Sequence, residues 1–340
     1  MTASSADVLR RAMLPLDGSI AEHAPAIVAA YGRLVPAHAW PQITVVDFTA
    51  GSCLLPLIFA WRGVGRLVIN DTAARSCLAA SARFGRRRLD LRRVRQLVTA
   101  KAPRLRSHVP SFHFASDYLT EDVAQVFDRL FYARVPATEQ PVYQYLALRW
   151  VLGFVPSPES EFAILPTHDY DMLARDHEHD WSRYIRRARS RLSVLMSLVA
   201  DLNAAIDRVA AARTEFHQAD MLTLCGKVDY GRQAFVIVNP PTRGLDEYVI
   251  DDQLAHSLIA NRWLPLSRSR EGAAQFWRRR VEAALRRLTP GSHALVWGGD
   301  GTLTWSQCLR VWRRHAEPVV VRRVGRGAQA PGWAILEKRS

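Results

Sequence analysis

Two apolar runs, each ending in an acid and separated by a glycine turn and an apolar helix-length segment, constrain this chain more than any other feature. Ile43–Val46 runs into Asp47, and the chain then turns at Ala50-Gly51-Ser52. Cys53–Trp61 is almost wholly apolar, Gly63 and Gly65 break it, and Leu67-Val68-Ile69 ends in Asn70-Asp71. The pattern predicts strand, turn, helix and strand, the unit from which parallel sheets are built. In an open parallel sheet the carboxyl tips of the strands face the ligand crevice, where a helix N-terminus and a carboxylate can hold a nucleoside. An acid on the second tip suits the two hydroxyls of a ribose. A ligand-free βαβ unit would carry the same glycine turn, so the rest of the chain has to decide.

A chain of 340 residues, 49% of them apolar, has room for one large domain or two ordinary ones around a well-buried core. Its formal charge of +14 calls for a polyanionic partner, nucleic acid first and an anionic membrane second. The cysteines, Cys53, Cys77, Cys225 and Cys308, lack the paired spacing of a metal site. They read as reduced thiols, and no metal is expected. The N-terminal stretch has no signal-peptide core, and no apolar run reaches the length of a membrane span. A cytoplasmic protein without a membrane partner is the expectation.

Residues 1–42 read as a helical preface. Pro15–Ser19 forms a turn, Pro25–Tyr31 has helical spacing, and Val35–Pro41 links to the first strand. Thr72–Phe84 predicts a helix of small residues. Segment 85–108 then holds nine Lys or Arg against the single Asp90, and an aromatic-rich stretch follows, from Phe112 to Phe154. Arg86, Arg87, Arg88, Arg92 and Arg93 are therefore candidate phosphate contacts, and some of the aromatics could stack on unpaired bases while most form core. Pro156–Asp176 reads as loop. Trp181–Ala212 reads as one long helix with a buried stripe of Leu192, Leu195, Met196, Val199, Leu202, Ile206 and Val209. Arg183, Arg186 and Arg187 at its start would oppose the helix dipole, which favours a phosphate contact for them. Phe216–Met221 predicts a short strand ending at Asp220. Phe235–Val238 predicts a buried strand halted by Pro240 and Pro241, neither of which can donate a sheet hydrogen bond. Gln275–Leu288 reads as an amphipathic helix, His293–Trp297 as a strand, and Val319–Val324 with Trp333–Glu337 as a closing hairpin.

Taken in order, these strand tips resemble the Dam-like adenine-specific DNA methyltransferase family, of which the chain would be a divergent member. The family's cofactor loop is matched by Asp47-Phe48-Thr49-Ala50-Gly51-Ser52-Cys53, its next strand end by Asn70-Asp71, and its third acid by Asp220. Its Asp-Pro-Pro-Tyr motif is matched by Asn239-Pro240-Pro241-Thr242. The departures are Thr242 for the stacking aromatic, Cys53 for the loop's second glycine, Thr49 for its phenylalanine, and Gly18-Ser19 for an early Gly-Lys pair.

The resemblance implies an α/β fold: a Rossmann-like S-adenosylmethionine-dependent methyltransferase sheet with a terminal antiparallel hairpin, plus a mainly helical insertion. Residues 1–84 and 214–340 would form the methyltransferase domain, and 85–213 the basic target-recognition insertion. S-Adenosyl-L-methionine would be the cofactor, held by Asp47, Thr49, Ala50, Gly51, Ser52, Cys53, Asp71 and Asp220. Asp47 would lie near the methionine ammonium, Asp71 would take the ribose hydroxyls, and Asp220 the adenine amine. Asn239 and the Pro240 carbonyl would accept the two hydrogens of an exocyclic amine, with Pro241 stiffening the backbone and Thr242 closing the motif. The partner would be double-stranded DNA with a flipped target base, adenine N6 the methylated atom, and a restriction-modification system or a bacterial or phage nucleoid the setting. Three alternatives stand beside this. They are a catalytically impaired DNA-binding homologue or subunit, an enzyme acting on cytosine N4, RNA or protein amides, and, disfavoured by the Pro-Pro strand and the charge, a dehydrogenase.

Overall fold

The computed structural model describes residues 20–51, 53–100, 119–154, 170–175, 181–207, 212–238, 273–298, 305–324 and 332–339. The expected βαβ unit is present as β1 (Thr44–Asp47), α2 (Leu54–Trp61) and β2 (Arg66–Asn70), preceded by α1 (Ile20–Leu34) and a 3-10 turn (Ala37–Gln42). β2 leads into α3 (Ala74–Phe84), and a helical series follows: α4 (Leu91–Thr99), α5 (Glu121–Phe131), α6 (Gln140–Leu152), α7 (Tyr170–Arg175), α8 (Ser182–Arg189) and α9 (Arg191–Ile206). The chain then returns to the sheet through β3 (Arg213–His217), α10 (Met221–Cys225), β4 (Ala234–Val238), α11 (Ala273–Arg287) and β5 (His293–Gly298). It closes with α12 (Trp305–Trp312), β6 (Glu317–Arg323) and β7 (Gly332–Glu337).

The strands lie in the order β3-β2-β1-β4-β5-β7-β6. The first five are parallel to their neighbours, β7 pairs antiparallel with β5, and β6 pairs antiparallel with β7. This is the expected doubly wound, Rossmann-like α/β sheet with a terminal antiparallel hairpin. From β1 the chain winds one way to β2 and β3, and from β4 the other way, so the strand order reverses between β1 and β4. A ligand crevice forms outside the carboxyl ends at such a point. Asp47 stands level with Ile237 of β4 and with Ile69 of β2, which puts three strand ends on one rim.

Both faces of the sheet are covered, and the period-2 alternation of side chains sorts the core in two. Val45, Leu67, Ile69, Phe235, Ile237, Leu295 and Ile335 face the layer that contains α1 and α2. Val46, Val68, Val236, Val238, Ala294, Val296 and Leu336 face the layer of α10, α11 and α12. The helices between β2 and β3 bury a third cluster of their own, centred on Phe127, Tyr145, Trp150 and Leu195. Six of the aromatics in the run after the basic segment, Phe127, Phe131, Tyr143, Tyr145, Trp150 and Phe154, are core there.

Three expectations are corrected. The single helix over Trp181–Ala212 is two helices, with Ser190 between them at φ −91° and ψ 19°. The break places Arg186, Arg187 and Arg189 in the last turn of α8, where cations complement the helix dipole instead of opposing it. Over the described residues the stripe holds, with Leu195, Val199, Leu202 and Ile206 buried and Leu192 and Met196 partly so, and Val209 lies outside the described residues. The loop expected over Pro156–Asp176 contains α7. The strand expected at Phe216–Met221 lies earlier, because the edge strand β3 is mostly polar, Arg213-Thr214-Glu215-Phe216-His217, and Met221 already begins α10.

One polar contact fastens the helical series to itself. The buried Asn203 side chain accepts from the Leu89 N–H at 2.8 Å and donates to the Leu89 carbonyl at 3.0 Å. Asn203→Ala leaves both backbone groups unpaired and is expected to cost about 2 kcal/mol in urea unfolding, whereas a loss within a few tenths would show the clip to be dispensable.

Candidate active site

The rim is assembled from the ends of β1, β2 and β3. β1 delivers Asp47, which is 2% exposed, and the Thr49 N–H turns back to its Oδ1 at 3.0 Å. The chain then reverses over Ala50, whose N–H donates to the Asn70 carbonyl at 3.1 Å, and the Cys53 N–H closes the turn on the Ala50 carbonyl at 2.7 Å. Gly51 has φ +52°, and a Cβ there would meet no atom within 4 Å, so the glycine leaves open space above the turn. Cys53 has φ +64°, in the left-handed region where a side chain is strained. The Cys53 side chain is fully buried, its sulfur 3.9 Å from the Gly51 carbonyl and 3.8 Å from that of Ser76. It packs inward and does not crowd the crevice.

β2 ends in two residues with separate tasks. The Asn70 amide, 1% exposed, donates to the Phe48 carbonyl at 3.1 Å and to the Ala219 carbonyl at 3.2 Å, and accepts from the Ala219 N–H at 3.1 Å. Asp71 accepts from the Gly51 N–H at 2.8 Å through Oδ2 and from the Ala73 N–H at 2.9 Å through Oδ1. The Ser76 side chain is a third donor to the carboxylate, which leaves capacity for a further one. Asp220, placed beside them by Ala219, caps α10 through the Leu222 N–H at 2.9 Å, and its other oxygen is ion-paired with Arg280 of α11. Sequence reasoning gave Asp220 to the cofactor adenine and read Arg280 only as part of the amphipathic helix Gln275–Leu288. Arg280 is instead buried against the site, and nothing local in the sequence signals that pairing, which spans sixty positions.

The electrostatics separate the three acids. Burial pushes the Asp47 carboxyl up to about 8, opposed by the Thr49 N–H and reinforced by the nearby charge of Asp71. Burial also raises Asp71, while the N–H groups of Ala73 and Gly51 and the charge of Arg75 pull it back. Burial alone would raise Asp220, but the Arg280 guanidinium and the helix N–H groups outweigh it and hold the group below the usual carboxylate range. Cys77 lies beside this rim, its sulfur 3.6 Å from the Asp71 carbonyl, and burial lifts its thiol to about 11. Two closely placed acids that resist ionisation fit a cationic ligand.

S-Adenosylmethionine meets that test. The open space over Gly51 leaves room for it, Asp71 retains acceptor capacity for ribose hydroxyls, and Asp47 is an acid short of a cation. Ser52 and the four residues Asn239, Pro240, Pro241 and Thr242 lie outside the described residues, as do Gly18 and Ser19. β4, which leads into that motif, is buried throughout and ends level with the rim.

The proposed phosphate contacts sit on the helical series and not on the rim. Arg86, Arg87, Arg88, Arg92, Arg93, Arg183 and Arg186 are exposed. Arg187 turns inward. Its guanidinium lies 5.4 Å from the Trp150 ring and 5.0 Å from that of Phe154, and donates to the Trp150 carbonyl at 3.3 Å. Burial and the neighbouring Arg149 and Arg183 lower it to about 10, so Arg187 is a packing residue that fastens α8 to the end of α6.

No family model and no curated protein matches the chain. Among solved structures it is similar to the rRNA methyltransferase aviRa from Streptomyces viridochromogenes, at 9% identity and a TM-score of 0.38, over 99% of this chain and 94% of that one. A second structure of that protein gives 10% identity and a TM-score of 0.32 over 92% and 83% of the two chains. At such identities the residue assignments stand on the geometry of the strand ends. No described helix is long and apolar enough to cross a membrane.

The Asp47 shift makes stability depend on pH. The unfolded chain releases this proton near 3.8 and the native protein only near about 8, so within that window the native state holds the extra proton and stability falls as pH rises. Asp47→Asn is expected to flatten the slope. Urea midpoints compared at the two ends of the window measure it, and an unchanged slope would assign the dependence elsewhere.

Proposed function

We propose that this protein is an S-adenosylmethionine-dependent methyltransferase acting on an exocyclic amine of a nucleobase, with adenine N6 in DNA as the substrate to test first. The observation that carries the reading is the buried Asp47 and the half-buried Asp71, at adjacent parallel strand tips around the open Gly51 turn. They lie where the strand order of the sheet reverses. The Asn239-Pro240-Pro241-Thr242 motif follows the next strand in the sheet, and the charge of +14 suits a polyanionic substrate.

In this reading the cofactor supplies the methyl group, and the chain's residues bind and orient. Asp71 takes the ribose hydroxyls while its bond to the Gly51 N–H keeps the loop flat. Asp47 faces the methionine ammonium and would give up its proton as that cation arrives. Asp220, already engaged by Arg280 and its helix, offers its remaining acceptor capacity to the adenine amine. Asn239 Oδ1 and the Pro240 carbonyl accept the two amine hydrogens, which concentrates the lone pair on nitrogen, and the prolines limit how far those acceptors can drift. Orientation and exclusion of water supply the rest.

Calorimetry with S-adenosylmethionine and transfer of a labelled methyl group to DNA test the reading together. Asp71→Ala is expected to weaken cofactor binding by about tenfold or more. Asn239→Ala should lower transfer on the order of 100-fold while leaving cofactor affinity unchanged. Absence of cofactor binding by the wild-type protein would overturn the proposal and leave the reading of a DNA-binding homologue that has kept the fold. Label found in cytosine, RNA or protein would keep the mechanism and move the substrate.

A further inference from the structure

Among the described residues, one aromatic of the run that follows the basic segment escapes the core. Phe127, Phe131, Tyr143, Tyr145, Trp150 and Phe154 are buried, but Tyr132, at the end of α5, is 50% exposed. Its ring meets only one described aromatic, Phe131, edge-on at 5.1 Å. The surroundings are cationic. Arg93 of α4 donates to the carbonyl of Arg134 at 3.4 Å, which brings the exposed face of α4 against the segment that follows Tyr132. Arg92, Arg93 and Arg134 are all exposed there. Val94 and Val98 fix the orientation of α4 by facing the core, so its arginines are left on the solvent side. Asp128 lies near the Tyr132 hydroxyl and Asp90 begins α4, so the surface carries acids as well, fewer than its arginines.

A half-exposed tyrosine ring costs apolar surface in water, and a core position for it exists one residue earlier, at Phe131. Exposed arginines that flank an exposed ring form the pairing by which proteins hold unpaired nucleotides: cations on successive phosphates, a base on the ring. The geometry points to Tyr132, with Arg92, Arg93 and Arg134, as a stacking site for an unpaired nucleotide on the helical series. This rests on the nucleic-acid part of the proposed function and deepens it, because it assigns the substrate an unpaired stretch beyond the reacting base.

Fluorescence anisotropy with labelled oligouridylate, oligothymidylate and a mixed-sequence duplex, without cofactor, tests it. Tyr132→Ala is expected to weaken binding of the single strands on the order of 5- to 100-fold and the duplex little, and Tyr132→Phe to retain wild-type binding. Arg92→Glu with Arg93→Glu should weaken every polymer and lower the slope of log affinity against log salt by about one per lost phosphate contact. A larger loss by Tyr132→Ala on one single strand than on the other identifies RNA or DNA as the source of the nucleotide and supports the site. Unchanged single-strand binding by a Tyr132→Ala protein with wild-type unfolding behaviour would overturn it, as would equal losses on single strands and duplex. Since no cofactor is present, the result is independent of whether methyl transfer occurs.

Discussion

The rim depends on the Asn70 amide. One side chain, inserted at the end of β2, ties the backbone just after Asp47 to the backbone just before Asp220, while Asp71 follows it directly in the chain. Only an amide can do this, because the site requires two N–H donors and one acceptor on a single planar group, and a carboxylate supplies no donor. Burial makes the arrangement strict, since each of those groups would be left without water if the amide were absent. The three acids therefore hold their spacing through a residue that itself carries no charge.

Charge is distributed in opposition to the molecule as a whole. A protein with a formal charge of +14 places a buried acid, Asp47, and a half-buried one, Asp71, at its crevice, while the described arginines nearest them are committed to structure. Arg280 neutralises Asp220, and Arg187 packs on Trp150 and Phe154, so neither is available to a polyanion. The arginines of α4 and of the turn before it remain at the surface. The buried acid at the crevice and the exposed arginines of the helical series thus lie on different parts of the chain, as the proposed function needs.

Much of the sheet is legible in the sequence because its signals are local. The apolar runs of β1, β2, β4 and β5 are continuous, as strands buried on both faces must be, and glycines and prolines mark their ends. The edge strand β3 was harder to place, since Arg213-Thr214-Glu215 looks like a polar link until its pairing with β2 is known. The break at Ser190 was hidden for a similar reason. The apolar stripe runs through both helices, and only their separate packing shows where one stops. Of the site, Asp47, Gly51 and Asp71 could be found from strand ends and turn chemistry, whereas the clip made by Asn70 and the burial of Arg280 could not.

The sequence by itself determined which segments become strands, where the chain turns, and that acids stand at the strand tips, because those follow from periodicity and from the backbone limits of glycine and proline. Tertiary structure decided which acids are left unpaired, which arginines are buried, which aromatic stays in water, and that an inward-facing Cys53 leaves the crevice open. Those outcomes come from contacts between positions far apart in the chain, where burial sets the cost of every polar group, and no local pattern carries that information.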